Sequence, residues 1–228
     1  MPMLNSLVNL FFPKVCYACQ NGLTDYEDTI CVDCRHNLPI TNFHFEQDST
    51  VKKVLYGRAQ IESGTALFRF EKKGKVQQLI HNLKYRGHEN IGFVLGNWLG
   101  SELKTVPAYQ NIDMVIPVPL HKKKLKKRGY NQVSTFGVQI AKALNAEYAE
   151  GLLIKITDTK SQVNKKRFAR WNSNTELFSL TNIPSIENKH VLIVDDLITT
   201  GATLEACIAV LNDAKNVKIS IATMAIAL

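Results

Sequence analysis

No stretch of this 228-residue chain reaches the roughly 18 consecutive apolar residues of a membrane-spanning helix, so a membrane span is not expected. The apolar start, Met1 to Phe12, has no basic leader and no clear cleavage site, which argues against a secretory signal and for a cytoplasmic protein. Internal repeats and low-complexity tracts are missing. So are G-x-G-x-x-G and any Gly-Lys-Ser/Thr, which removes the dinucleotide and P-loop fingerprints. Acidic residues are the scarcer charge, 20 against 28 Lys and Arg. The resulting net charge of +8 favours nucleic acid, phosphate compounds or an anionic membrane as partners, though a basic surface also simply aids solubility. The length suits one sizeable domain with a small appendage, and its core needs no staple.

Against these absences, one stretch carries most of the chemistry. Val191-Leu192-Ile193-Val194 reads as a parallel strand buried on both faces. Asp195 and Asp196 follow where that strand is expected to end. Then come Thr199-Thr200-Gly201-Ala202-Thr203 and a helix whose apolar face is Leu204, Cys207, Ile208 and Leu211. A helix N-terminus presents unpaired N–H groups to an anion, Gly201 lets the backbone approach closely, and the hydroxyls add donors. Two carboxylates beside it can accept from a diol or face a divalent cation. Cys207, on the apolar helix face, reads as packing. The thirteen residues Val191 to Thr203 resemble the signature of type I phosphoribosyltransferases. That resemblance implies that the loop holds the 5-phosphate of phosphoribosyl pyrophosphate and the acidic pair its ribose hydroxyls.

Four of the five cysteines form two knuckles, Cys16-x-x-Cys19 and Cys31-x-x-Cys34, with eleven residues between them. The spacing suits one tetrahedral, structural zinc with four thiolate ligands, each knuckle on a tight turn and Gln20 to Ile30 as a hairpin. Two disulfides are disfavoured in a reducing cytoplasm, and an iron–sulfur cluster is a lesser alternative. His36 would be a fifth ligand and reads as a surface residue. About forty residues cannot build a core of their own, so metal is expected to supply the folding energy there.

Residues 41 to 53 read as a polar connector. A short β pattern lies near Thr65 to Glu71. Val76, Leu79, Ile80 and Leu83 mark one amphipathic helix, and Ile91, Val94, Leu95, Trp98, Leu99 and Leu103 a second. Between the helices, Leu83-Lys84-Tyr85-Arg86-Gly87 reads by spacing alone as a solvated turn. Ile112 to Ile116 is a buried strand ended by Pro117-Val118-Pro119. A cationic loop follows, His121 to Arg128, with six permanent positive charges in eight residues. Arg128-Gly129-Tyr130-Asn131-Gln132 then leads into a helix with Val133, Phe136, Ile140 and Leu144 inward. Open α/β sheets bind ligands at the carboxyl ends of their strands, which puts this loop on the same edge as the acidic pair. A further strand is expected at Gly151 to Ile156 and a last one from Val217. Between them, Lys165, Lys166, Arg167 and Arg170 surround Phe168 and Trp171, a mixture that suits single-stranded nucleic acid as well as a loop anchored by two rings.

The ordered set of cysteine knuckles, Leu-Lys-Tyr-Arg-Gly, Pro-Val-Pro-Leu-His, Arg-Gly-Tyr-Asn-Gln and the Asp-Asp loop resembles the ComF family of bacterial competence proteins over nearly the whole chain. The resemblance implies an α/β fold with a parallel sheet of the type I phosphoribosyltransferase kind, preceded by a four-cysteine zinc ribbon. Residues 1–40 would be the ribbon and 41–228 the phosphoribosyltransferase-like domain, with about 54–110 as a hood or flanking helices. Leu120 and His121 match the pyrophosphate loop. Thr159 and Gln162 match the mobile catalytic loop, where Ser173 stands in place of the family's asparagine. Phosphoribosyl pyrophosphate with Mg²⁺ is the implied ligand, and displacement at its anomeric carbon the implied chemistry; no residue stands out as a general base. The alternative is a binding module of the DNA-uptake machinery without turnover, whose partners would be single-stranded DNA and a competence helicase.

Overall fold

A computed structural model describes residues 13–156 and 177–228. Among the described residues the first elements are three short helices, α1 (Val32–Asn37), α2 (Phe43–Glu46) and α3 (Thr50–Leu55). Strand β1 (Ser63–Arg69) follows, then helices α4 (Lys75–Tyr85) and α5 (Asn90–Leu103). Next come β2 (Met114–Pro117), helices α6 (Lys122–Arg128) and α7 (Ser134–Leu144), and β3 (Glu147–Tyr148). Strands β4 (Leu153–Lys155) and β5 (Phe178–Leu180) precede β6 (His190–Ile198), helix α8 (Ala202–Leu211) and β7 (Lys218–Ile226).

Five strands form one parallel sheet in the order β1-β7-β6-β2-β3. Because side chains alternate along a strand, each central strand feeds two cores. Val115, Leu192, Val194, Ala222 and Met224 face one, which also holds the apolar sides of α4, α5 and α7. Met114, Ile116, Val191, Ile193, Ile219 and Ile221 face the other, shared with α3 and α8. The near-continuous apolar runs of β2, β6 and β7 are the sequence form of a sheet covered on both sides.

The connection from β2 runs outward through α7 to β3, whereas that from β6 runs the opposite way through α8 to β7. The two therefore part at the carboxyl ends of β2 and β6, and a crevice opens at that point. β2 stops pairing at Pro117↔Val194, whereas β6 continues along β7 to Ile198↔Ile226. Asp195 and Asp196 thus belong to the strand rather than following it, a correction to the sequence reading. They occupy the stretch of β6 that has outrun its neighbour on one side.

Four other expectations change. Residues 41 to 53 are not a polar connector: α2 and α3 lie there, with Phe43, Val51 and Leu55 essentially unexposed. Leu83, Lys84 and Tyr85 close helix α4 instead of forming a turn. The run Lys122 to Arg128 is a helix, stopped by Gly129 in the left-handed conformation, rather than a loop. The strand near Gly151 to Ile156 pairs antiparallel with β5 in a ribbon outside the main sheet.

One packing device escaped the sequence reading. Gly92, Gly96 and Gly100 form a bare stripe on α5 against α7; a Cβ on Gly96 would lie 2.5 Å from the Phe136 carbonyl oxygen. Small residues at four-residue spacing let two helix backbones approach, which brings α7 and its leading segment Tyr130–Gln132 onto the sheet.

Candidate functional site: an acid pair and anion loop beside a four-cysteine cluster

At the end of β6 the two acids point to opposite faces, as neighbours on a strand must. Asp195 lines a small pocket with Leu197 to Leu204, the loop that opens α8. Burial first, and then the Asp196 carboxylate, push its carboxyl well above the usual carboxylate range, against the pull of the Asp196 N–H and of Lys84 and Lys155. Asp196 turns to the other face. It is 5% exposed, with Lys84 Nζ 2.6 Å from Oδ1 and Gln132 Nε2 donating to Oδ2 at 2.5 Å.

Gly201 ends the loop at φ +75°, and α8 begins at Ala202. Thr199, Thr200, Ala202 and Thr203 are exposed around it. A side chain at Gly201 would meet Val54, Leu55 and Arg58, so α3 and the residues after it form the back wall of the loop. Arg58 donates from Nη2 to the Thr200 carbonyl at 2.7 Å and from Nη1 to Glu205 at 2.9 Å. The sequence reading missed Arg58, which stands 142 residues from the loop it braces and lies in no recognisable pattern.

On the β2 side of the crevice, the Asn131 side chain donates to the Val118 carbonyl at 3.0 Å and fixes the segment that carries Leu120 and His121. His121 caps α6 and accepts from the Lys123 N–H. Lys122, Lys123, Lys124, Lys126 and Lys127 are all exposed. Arg128 donates to Gln132, the residue that holds Asp196, and lies over the Tyr85 ring at 5.5 Å. The Tyr130 hydroxyl donates to the Leu83 carbonyl. Leu-Lys-Tyr-Arg-Gly and Arg-Gly-Tyr-Asn-Gln, far apart in sequence, thus meet at Asp196. Thr159, Gln162, Lys165, Lys166, Arg167, Phe168, Arg170, Trp171 and Ser173 lie outside the described residues.

The sulfurs of Cys16, Cys19, Cys31 and Cys34 all lie within 4.8 Å of one another. A tetrahedron with Zn–S near 2.3 Å has edges of about 3.8 Å, and Cys19 and Cys31 are 3.8 Å apart. The first knuckle sits on a hairpin pinned by Cys16 N donating to Asn21 O and Leu23 N to Lys14 O. The second differs from the expected turn: Cys31 caps α1 and Cys34 lies inside it. Burial alone would raise the Cys16 thiol, but the N–H groups of Cys31, Cys19 and Ala18 outweigh it and lower it to about 7. Burial raises Cys31 and Cys34, and the sulfurs of Cys16 and Cys19 add to it at both. Thiols this close resist ionising together without a cation among them, so the donor set fits a zinc ion. The four cysteines are not isolated from the body. They share a core with Leu79 and Leu83, Asn82 donates to the Tyr17 carbonyl at 2.9 Å, and Tyr17 stacks on His88 at 4.0 Å.

A family model described as a phosphoribosyl transferase domain matches residues 133–226, from the start of α7 to the last strand. The chain is 23% identical over 193 residues to the DNA utilization protein YhgH of Escherichia coli K12, covering 83% of this chain and 80% of that one. It is 25% identical over 192 residues to competence protein ComFC of Bacillus subtilis, covering 84% and 75%. It is 30% identical over 139 residues to ComFC of Streptococcus pneumoniae, covering 59% and 57%. Among solved structures, a hypoxanthine phosphoribosyltransferase of Staphylococcus aureus aligns with TM-score 0.34 and 19% identity, over 59% of this chain and 62% of that one, too loosely to say anything of the site.

Sheet order, switch-point crevice and domain match define an α/β protein of the type I phosphoribosyltransferase fold with four clustered cysteines near its start. Its relatives over most of the chain, at modest identity, carry the names competence protein ComFC and DNA utilization protein YhgH.

Proposed function

We propose that the protein binds phosphoribosyl pyrophosphate with Mg²⁺ at the crevice between β2 and β6, and that it serves DNA uptake, a reading supported by relatives named competence protein and DNA utilization protein. The observation that carries this reading is the acid pair on the end of β6 that β2 leaves unpaired, next to a left-handed glycine and the N-terminus of a ten-residue helix. Thr199 to Thr203 would give hydroxyl and backbone donors to the 5-phosphate. Asp196 would accept from the ribose hydroxyls in charge-assisted bonds worth about 1.5–3 kcal/mol each, and Asp195, whose proton burial retains in the free protein, would join it on giving that proton up as Mg²⁺ and ligand bind. Leu120 and His121 would border the pyrophosphate. Mg²⁺, when bound, would supply charge neutralisation for the pyrophosphate. Residues 1–40 would form a zinc ribbon through Cys16, Cys19, Cys31 and Cys34, and 41–228 the ligand-binding domain, with about 54–110 as its hood or flanking helices.

If turnover occurs, the residues would act by positioning and charge stabilisation at an oxocarbenium-like anomeric carbon. A second reading, docking of single-stranded DNA or a competence helicase without turnover, is supported by helix α6, which presents five exposed lysines. Thermal melting with phosphoribosyl pyrophosphate, with and without Mg²⁺, tests the first reading. A rise in Tm that needs both is expected; no rise at millimolar ligand contradicts it. Pyrophosphate release with and without candidate bases then separates enzyme from binder.

A further inference from the structure

We propose that Lys84, delivered by helix α4, is a ligand-binding residue of this site and takes oxygens of the ligand's pyrophosphate. The inference rests on the reading of the site given above. Its first support is placement. Lys84 Nζ lies 2.6 Å from Asp196 Oδ1, which fixes the ammonium at the crevice, and the side chain keeps 21% of its surface exposed. The second is pre-organisation. Gln132 holds the other oxygen of Asp196, Arg128 holds Gln132, and the Tyr130 hydroxyl ties down the Leu83 carbonyl one residue before the lysine. An acid clamped in this way fixes the ammonium resting on it.

The third support is chemistry. An ammonium has three N–H donors and a carboxylate about four acceptor positions. Among the described residues Lys84 meets one acceptor, Asp196, which leaves two donors for a ligand, and Asp196 keeps lone pairs for a hydroxyl. In phosphoribosyl pyrophosphate the diol is at C2 and C3 and the pyrophosphate at C1. A cation resting on the acid that holds the diol therefore lies beside the leaving group. The ammonium offers it charge as well as donors, and these interactions strengthen as negative charge gathers on the departing pyrophosphate.

Calorimetry in Mg²⁺ on wild type, Lys84→Gln and Lys84→Arg tests this with three probes: phosphoribosyl pyrophosphate, inorganic pyrophosphate and ribose 5-phosphate. Glutamine can still donate to Asp196 but carries no charge. Loss of one charge-assisted bond should weaken Lys84→Gln by about tenfold or more for the two pyrophosphate probes. Ribose 5-phosphate should weaken much less, and Lys84→Arg should recover most of the loss. An equal loss for all three probes makes Lys84 structural and overturns the proposal, as does no loss at all. If Lys84→Gln does not fold, Lys84→Arg decides: a change for the pyrophosphate probes larger than for ribose 5-phosphate is expected, and equal affinities overturn the proposal. A wild type that binds none of the probes overturns the proposed function together with this inference. A wild type that binds, with variants that match it, overturns the inference alone.

Discussion

Asp195 carries an electrostatic cost that the ligand-free protein bears. Its carboxyl is raised to about 8 by burial and by Asp196, so between the ordinary carboxylate range and that value the folded state holds a proton the unfolded state has lost. Stability from this group is complete at acid pH and is lost as pH rises toward 8. Asp195→Asn should therefore flatten the fall in unfolding free energy between about pH 4 and pH 8 in urea titrations; a slope equal to wild type would show that other groups set it. Arg58 gives a second expectation at this scale. It braces the Thr200 carbonyl and Glu205. Arg58→Ala should weaken binding of phosphoribosyl pyrophosphate by several-fold through the loop while its Mg²⁺ dependence persists, and calorimetry would show it.

Among the elements, α5 and α7 depend on their bare stripe. Gly96→Val would drive a side chain into the Phe136 backbone and should cost about 1–3 kcal/mol in chemical denaturation, more than the same change at the exposed, uncrowded Gly22. This stripe shows why part of the fold was legible in the sequence and part was not. Helices α4, α5 and α7 were visible because their apolar residues recur at helical spacing, and β2, β6 and β7 because they are near-continuous apolar runs. Glycines that matter only for a neighbour's approach leave no periodic trace. Helices α2 and α3 are four and six residues long, too short for a period to show. Lysine-rich α6 has no apolar face at all, so charge hid its helicity. At the site, the Asp-Asp loop was legible as a contiguous motif. The meeting of Lys84, Gln132 and Asp196 was not, because it joins three elements through tertiary contacts.

For the whole molecule, the cysteine cluster is built into the same core as α4, and α4 also carries Lys84 to the acid pair. Freshly purified protein should hold about one equivalent of zinc, and a chelator should lower Tm by many degrees rather than release a free-standing appendage; full stability without metal in reducing buffer contradicts this. Helix α6 gives the molecule its cationic edge. If single-stranded DNA docks there, changing Lys122, Lys123, Lys124, Lys126 and Lys127 to glutamine should flatten the slope of log affinity against log salt, and an unchanged slope would place the contacts elsewhere. In the proposed function the acid pair and its anion loop form the site for phosphoribosyl pyrophosphate. The most direct measurement is calorimetry of that ligand on wild type and on Asp195→Asn with Asp196→Asn, each with and without Mg²⁺. Asparagine keeps the shape and removes the charge. Binding by wild type that needs Mg²⁺ and weakens by about tenfold or more in the double variant is the predicted result. Equal binding by both proteins, or none by either at millimolar ligand, would contradict it.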